Sequence, residues 1–193
     1  MAKMARKRPA HRSVFEKSTD KLNKEGDRQN QLLLSSTAIA FYRYWGWDKD
    51  KIIDLMYTID EVWTECADDI ERSMVEMCEQ ETGIELQNGD GKSWHDLHFL
   101  NSQLDPGRMT GAQWVYMRQQ QIKWVAPTIL AGILLALHRK YKFGYRRCSQ
   151  IYAQILDIEN EFGMDPMKLK AACLAETEVE IHDRNKYRRK GGE

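Results

Sequence analysis

The sequence predicts an all-α fold, mainly helical, with room for two very short β-strands. Apolar residues recur at three- to five-residue steps along most of the chain, and recognisable helix caps and stops interrupt them. Only four Pro and few Val or Thr are present, whereas six Trp and nine Met supply bulky, adaptable core side chains. With 193 residues and 42% apolar content, the chain is sized for a single domain with a real core.

Residues 1–18 show no sustained periodicity and read as a basic flexible arm, followed by one helical domain over 19–183 and a basic tail over 184–193. A first helix is expected from about Asp27 to Trp45, with Leu33, Thr37, Ala40, Phe41 and Tyr44 on one face and Gly46 as its stop. Asp48 restarts the chain as an N-cap, with Trp47 and Ile52 as a hydrophobic staple. Ile52, Leu55, Met56, Ile59, Val62, Trp63 and Cys66 then form a clean amphipathic stripe whose other face is acidic. Asp68 with Glu71 marks a further cap, and Ile70, Met74, Met77 and Cys78 carry a shorter helix to Gly83. A loop at Gln87–Lys92, a short helix around Trp94–Leu100 and a turn at Asp105-Pro106-Gly107 lead to the most strongly marked stretch.

That stretch, Thr110 to Gly144, is expected to be the central helix. Thr110 and Gln113 have capping-box spacing, and apolar residues continue to Tyr141. Pro127 removes one backbone donor, so one bent helix and two shorter ones both satisfy the pattern. The apolar run Trp124–Leu137 holds 14 residues, short of the roughly 20 that span a bilayer. Gly144 stands where a left-handed terminating residue is expected. Ile151, Tyr152, Ile155, Ile158 and Phe162 build another amphipathic helix that stops at Gly163. Asp165-Pro166 opens the last one, which ends near Glu176.

These pieces repeat. Cys78-Glu79-Gln80-Glu81-Thr82-Gly83-Ile84-Glu85-Leu86 aligns with Cys173-Leu174-Ala175-Glu176-Thr177-Glu178-Val179-Glu180-Ile181, and Trp45-Gly46-Trp47 aligns with Phe143-Gly144-Tyr145. Two tandem helical repeats, about 27–88 and 118–183, are therefore expected around the central helix with a pseudo-twofold relation. The alternation in Ile84-Glu85-Leu86 and Val179-Glu180-Ile181 would let two short strands pair across that axis.

Cys66, Cys78, Cys148 and Cys173 form no CxxC pair and read as reduced core thiols, which suits a cytoplasmic protein, and the N-terminus lacks the apolar segment of a signal peptide. His95 and His98 lie three apart, and Glu81, Glu85, Glu176 and Glu180 would approach the pseudo-axis. HxxH without a third ligand at fixed spacing does not specify a metal site. No phosphate loop, nucleophile elbow or Cys-His pair is present, so no catalytic residue, metal or cofactor is expected, and the chain reads as a non-enzyme.

Net charge is zero, but it is unevenly distributed. Residues 48–90 hold fourteen acidic and three basic side chains, whereas residues 106–156 hold eight basic and no acidic ones. The acidic half, with Asp60, Glu61, Asp68 and Asp69, offers carboxylates spaced to imitate phosphates before a nucleic-acid-binding protein. The basic segment Arg139, Lys140, Arg146 and Arg147, with Tyr141 and Tyr145 between, has the chemistry to contact phosphates and stack on bases.

The strings FYRYWGWDKDKIIDL, CEQETGIEL, SWHDLHFLN, DPGRMTGAQWVYMRQQQ and LHRKYKFGYRR resemble a group of small α-helical proteins encoded by prophages and mobile elements of Clostridia and related Firmicutes. They look like the branch that contains type II-A anti-CRISPR proteins. The resemblance covers roughly residues 19–182 and implies a stoichiometric inhibitor of guide-loaded Cas9 in the host bacterial cytoplasm, with DNA contact as an additional possibility and homodimerisation left open. It transfers no functional residue. The charge pattern also suits a phage nucleic-acid-binding regulator without activity on Cas9; a metal-dependent enzyme using His95, His98 and Glu81, Glu85, Glu176 and Glu180 is a more distant alternative.

Overall fold

Helices α1 (Val14–Trp45), α2 (Lys49–Ala67), α3 (Met74–Thr82), α4 (Gly111–Lys123), α5 (Val125–Tyr141), α6 (Tyr145–Glu161) and α7 (Pro166–Thr177) make up the all-α fold. The computed structural model describes residues 14–67, 73–93 and 110–182. The expected helix at Trp94–Leu100, the turn at Asp105-Pro106-Gly107 and the basic tail lie outside them.

Two helices, α1 and α5, share the centre, where a single one was expected. In α5 every residue from Ile129 to Leu137 is buried. The same holds for Leu32 to Phe41 in α1, where Ser36 and Thr37 satisfy their hydroxyls on the carbonyls of Leu32 and Leu33 at 2.9 and 2.7 Å. These two segments are 96 residues apart along the chain. Each packs mainly on the other half's helices: α1 against α6 and α7, α5 against α2 and α3. Contacts of α1 with its own follower α2, and of α5 with α6, are sparse.

The first helix begins at Val14, well before the expected Asp27, so residues 14–18 of the expected arm are helical. Its early turns lack apolar periodicity, so the pattern did not mark them. They are supported by Glu25 bonds to Arg28 and Gln29 and by α4 packing alongside. Thr110 and Gln113 close their capping box in both directions. At Pro127 the α4–α5 segment divides: the two helices meet at Trp124 with a 41° bend, because proline offers no hydrogen to the carbonyl of Lys123. No single helix among the described residues is long and apolar enough to cross a membrane. α3 is capped by Ser73, whose hydroxyl accepts from Glu76 N; the expected cap at Asp68 with Glu71 lies outside the described residues.

The elbows differ from expectation. Gly46 has φ 62°, but the equivalent left-handed residue in the second half is Lys142 at φ 58°, while Gly144 is an extended N-cap at φ −84°. Trp47 N donates to Phe41 O and Phe143 N to Leu137 O, both at 3.2 Å. Tyr141-Lys142-Phe143 is thus the counterpart of Trp45-Gly46-Trp47, and Leu55 corresponds to Ile151; both members of that pair are fully buried. The Gly-aromatic similarity pulled the alignment two residues out of register. The aromatic rings meet reciprocally across the halves, Trp45 with Phe143 and Trp47 with Tyr141, each pair 5.0 Å between centroids.

The expected strands do not form. Ile84 and Leu86, and Val179 and Ile181, are buried with exposed glutamates between them, so the alternation is present in extended chain. The only bridge among the described residues joins Gln87 to Ser93. One extended segment follows the helix packed on α5 and the other follows the helix packed on α1, and each satisfies its first amide locally. Ile84 N donates to Thr82 Oγ1 at 3.2 Å, and Val179 N to Thr177 Oγ1 at 3.1 Å.

The elbow geometry makes a stability prediction. Gly46→Val should cost about 1 kcal/mol or more, and Lys142→Gly should gain a few tenths up to about 1 kcal/mol, because only a residue without Cβ is unstrained at positive φ. Gly144→Ser should be neutral or stabilising, by up to about 1 kcal/mol, through its N-cap position. Urea unfolding of the three variants measures all of these; a Gly144→Ser cost equal to that of Gly46→Val would contradict the assignment.

Candidate functional sites

The same three-residue ion-pair arrangement occurs twice. Arg43 of α1 binds Glu176 of α7 in a fork, Nε to Oε2 at 2.7 Å and Nη2 to Oε1 at 2.6 Å, and reaches Glu161 of α6 at 2.7 Å. Arg139 of α5 binds Glu81 of α3 in the same way, at 2.9 and 2.6 Å, and reaches Glu65 of α2 at 3.3 Å. Arg43 and Arg139, like Glu65 and Glu161, are 96 residues apart in sequence. Each arginine therefore clasps glutamates of the opposite half, as in an isologous interface where residue i meets j and j meets i. These hydrogen bonds and the neighbouring carboxylate charges raise the pKa of both guanidinium groups.

Beneath each fork lies a duplicated cap. Thr82 and Thr177 donate to the carbonyls of Cys78 and Cys173 at 2.6 and 2.7 Å, and Gly83 and Glu178 supply left-handed C-caps. Burial raises the thiol pKa of Cys78 to about 12 and of Cys148 and Cys173 to about 11, which keeps these thiols protonated near neutral pH. All four cysteines are free and buried.

The sequence-derived site residues are therefore redistributed. Arg139, expected to contact nucleic acid, is ion-paired with Glu81 and Glu65, and Arg43 is ion-paired with Glu176 and Glu161. Lys140 sits 4.0 Å from Asp54. Arg139 and Lys140 complement the C-terminus of α5, but Arg146 and Arg147 are exposed in the first turn of α6, where positive charge opposes the helix dipole. Tyr145 beside them is 64% exposed, and Arg147 lies over the Phe143 ring. On α2, Glu61 and Glu65 are exposed and Asp60 is half-buried, with no basic residue from Ile52 to Ala67. Asp68, Asp69, His95 and His98 lie outside the described residues, among which no group of His, Cys, Asp and Glu is arranged to hold a metal.

Sequence reasoning missed a groove beside the α4–α5 break. It has a volume of about 340 Å³, and Leu33, Pro127, Leu130 and Leu156 are among its apolar walls. Glu159 of α6 lines it, 8% exposed, and its Oε1 has no hydrogen-bond partner among the described residues. Burial pushes its carboxyl pKa up to about 7. Its polar character hid it, because Ile151, Ile155 and Ile158 mark the buried stripe of α6 without it.

The fold and its exchanged clusters define an all-α protein built from two interlocked halves. Compared with protein-family models, curated proteins and solved structures, the chain matches none.

Two predictions follow from the clusters and the groove. Arg43 and Glu176 keep 29% and 28% side-chain exposure, and Arg139 and Glu81 31% each, so water screens the pairs. Arg43→Met and Arg139→Met should each cost about 1 kcal/mol, somewhat more than an ordinary surface pair because the geometry is bidentate. Nearly equal losses in urea unfolding are expected, and a large inequality would show that the duplicated geometry is not energetically duplicated. Because the carboxyl pKa of Glu159 is raised on folding, the native chain holds a proton that the unfolded chain has released. Its contribution is therefore full below about pH 4 and is lost as pH rises to about 7, a difference of up to about 3 kcal/mol. Glu159→Gln should flatten the stability–pH curve over that window.

Proposed function

We propose that the protein acts as a stoichiometric inhibitor of guide-loaded Cas9, of the kind carried by phages and mobile elements. The acidic outer face of α2 would occupy the nuclease's basic nucleic-acid channel. The observation that carries this reading is that α2 has no lysine or arginine from Ile52 to Ala67 and carries exposed Glu61 and Glu65 with half-buried Asp54 and Asp60, of which Glu65 and Asp54 also meet Arg139 and Lys140 of α5. Such a surface raises the association rate with a cationic channel and competes with phosphates for it. The resemblance of the sequence to the anti-CRISPR branch supplies the particular partner.

A second reading, a nucleic-acid-binding regulator, is favoured by Arg146 and Arg147. Their charges oppose the α6 dipole and lie beside exposed Tyr145, a combination suited to phosphate contact and base stacking. In this reading Arg139 contributes to the fold rather than to DNA.

Cleavage of a matched duplex by Cas9, titrated with the protein, distinguishes the two. Inhibition that saturates at about one protein per nuclease, and that falls at least about tenfold when Asp60 and Glu61 are changed to Lys, is expected for the channel-occupying mode. Arg146→Ala with Arg147→Ala should leave it intact. Loss of salt-steep DNA binding in that arginine variant, its salt slope flattened by about one for each contact removed, with no effect of any variant on Cas9, would instead establish the regulator. Full cleavage at large excess of the unmutated protein, with Cas9 from several Firmicutes hosts, would overturn the inhibitor reading.

A further inference from the structure

The two halves differ most informatively where Trp63 of one corresponds to Glu159 of the other, again 96 residues apart. Trp63 packs its indole so closely on Gly132 of α5 that no Cβ fits there. The residue of α1 at Gly132's place is Ser36. Where one half fills the position with an indole, the other carries the shorter carboxylate that lines the groove beside the α4–α5 break.

An unpaired buried carboxylate is unfavourable to folding, whether it remains charged without a partner or takes up a proton. Apolar walls around one unsatisfied acceptor are the pattern of a small-molecule site, and about 340 Å³ lies at the small end of the ~300–1,000 Å³ that such sites span. We propose that this groove binds a small organic primary ammonium ion, its charge on Glu159 and its apolar body against Leu33, Pro127, Leu130 and Leu156.

The remaining lining favours a cation over an anion. Gln29, Gln87 and Asn88 contribute amides, and the lining lysine, Lys123 of α4, is paired with Asp90. Tyr152 of α6 is the other titratable lining residue, and its phenol is held above its usual range by burial and by Glu159, so it stays neutral and uncharged toward a ligand. α1 and the loop at 86–89 contribute no titratable group to the lining. An anionic ligand would meet the Glu159 carboxylate, and a neutral one would leave its acceptor without a charged partner.

The site is independent of the proposed inhibitory role, and its test uses the full chain alone. Phenethylamine, with 2-phenylethanol as neutral isostere and phenylacetate as anion, is titrated by calorimetry and by amide NMR shifts at about pH 8 and about pH 5. One amine per chain is expected, at least about tenfold tighter at the higher pH and at least about tenfold tighter than the alcohol, with phenylacetate not binding. Shifts should centre on residues 29–33, 86–89, 122–130 and 152–159. Glu159→Gln should abolish both the amine preference and the pH dependence, and Leu156→Trp, at a partly exposed wall position, should block the groove while leaving Glu159 in place. Alcohol binding as tight as the amine's, pH dependence that survives Glu159→Gln, amine affinity unchanged by Leu156→Trp, or no saturable binding would each overturn the proposal.

Discussion

The structure depends on an exchange of partners between its halves. Neither long helix is enclosed by the helices that follow it: α1 lies on α6 and α7, and α5 lies on α2 and α3. Arg43 and Arg139 fasten that exchange from opposite sides by gripping carboxylates of the other half. A half on its own would leave a buried face such as Leu32–Phe41 without the surface that covers it, so the apolar gain that offsets chain entropy is available only when both halves fold together. The ion pairs are screened and individually modest. Their larger effect is on geometry, because a guanidinium fork held in two hydrogen bonds fixes orientation as well as distance.

Duplication also makes the departures from symmetry informative. α1 runs unbroken for 32 residues, while its counterpart divides at Trp124 because Pro127 removes one donor. Lys142 accepts a left-handed conformation that glycine takes at Gly46, and Glu159 stands where Trp63 fills space. The proline break and Glu159 both border the groove. In this half, close packing has given way to an opening with one unsatisfied carboxylate.

Charge divides into what folding uses and what it leaves on the surface. Arg139 and Glu81, alike in composition to their neighbours, are joined to each other. Arg146 and Arg147 face solvent and stand against the dipole of their own helix. Surface charge placed against local helix electrostatics is not explained by stability, so these residues are where a functional reading has most to work with. Separating structural from free charge needed the fold, since Arg139 and Arg147 lie only eight residues apart in one basic run.

By itself the sequence determined the all-α class and most of the helices, and it pointed to a repeated helix cap. Capping chemistry and apolar periodicity act over three or four residues, so Thr110 with Gln113, Asp165 with Pro166 and the stripe from Ile52 to Cys66 could be read locally. The Cys-x-x-Glu-Thr likeness marked two caps whose hydrogen bonds agree within about a tenth of an ångström. What only the tertiary structure decided was long-range: that α1 shares the centre and begins at Val14, that Ile84–Leu86 and Val179–Ile181 form no strand pair, that Lys142 rather than Gly144 turns the second elbow, and that Glu159 is enclosed. A polar helical stretch such as Val14–Gly26 carries no apolar stripe, and a glutamate beside one gives no local sign of burial. Both are fixed by surfaces that arrive from about a hundred residues away, which no short-range pattern can encode.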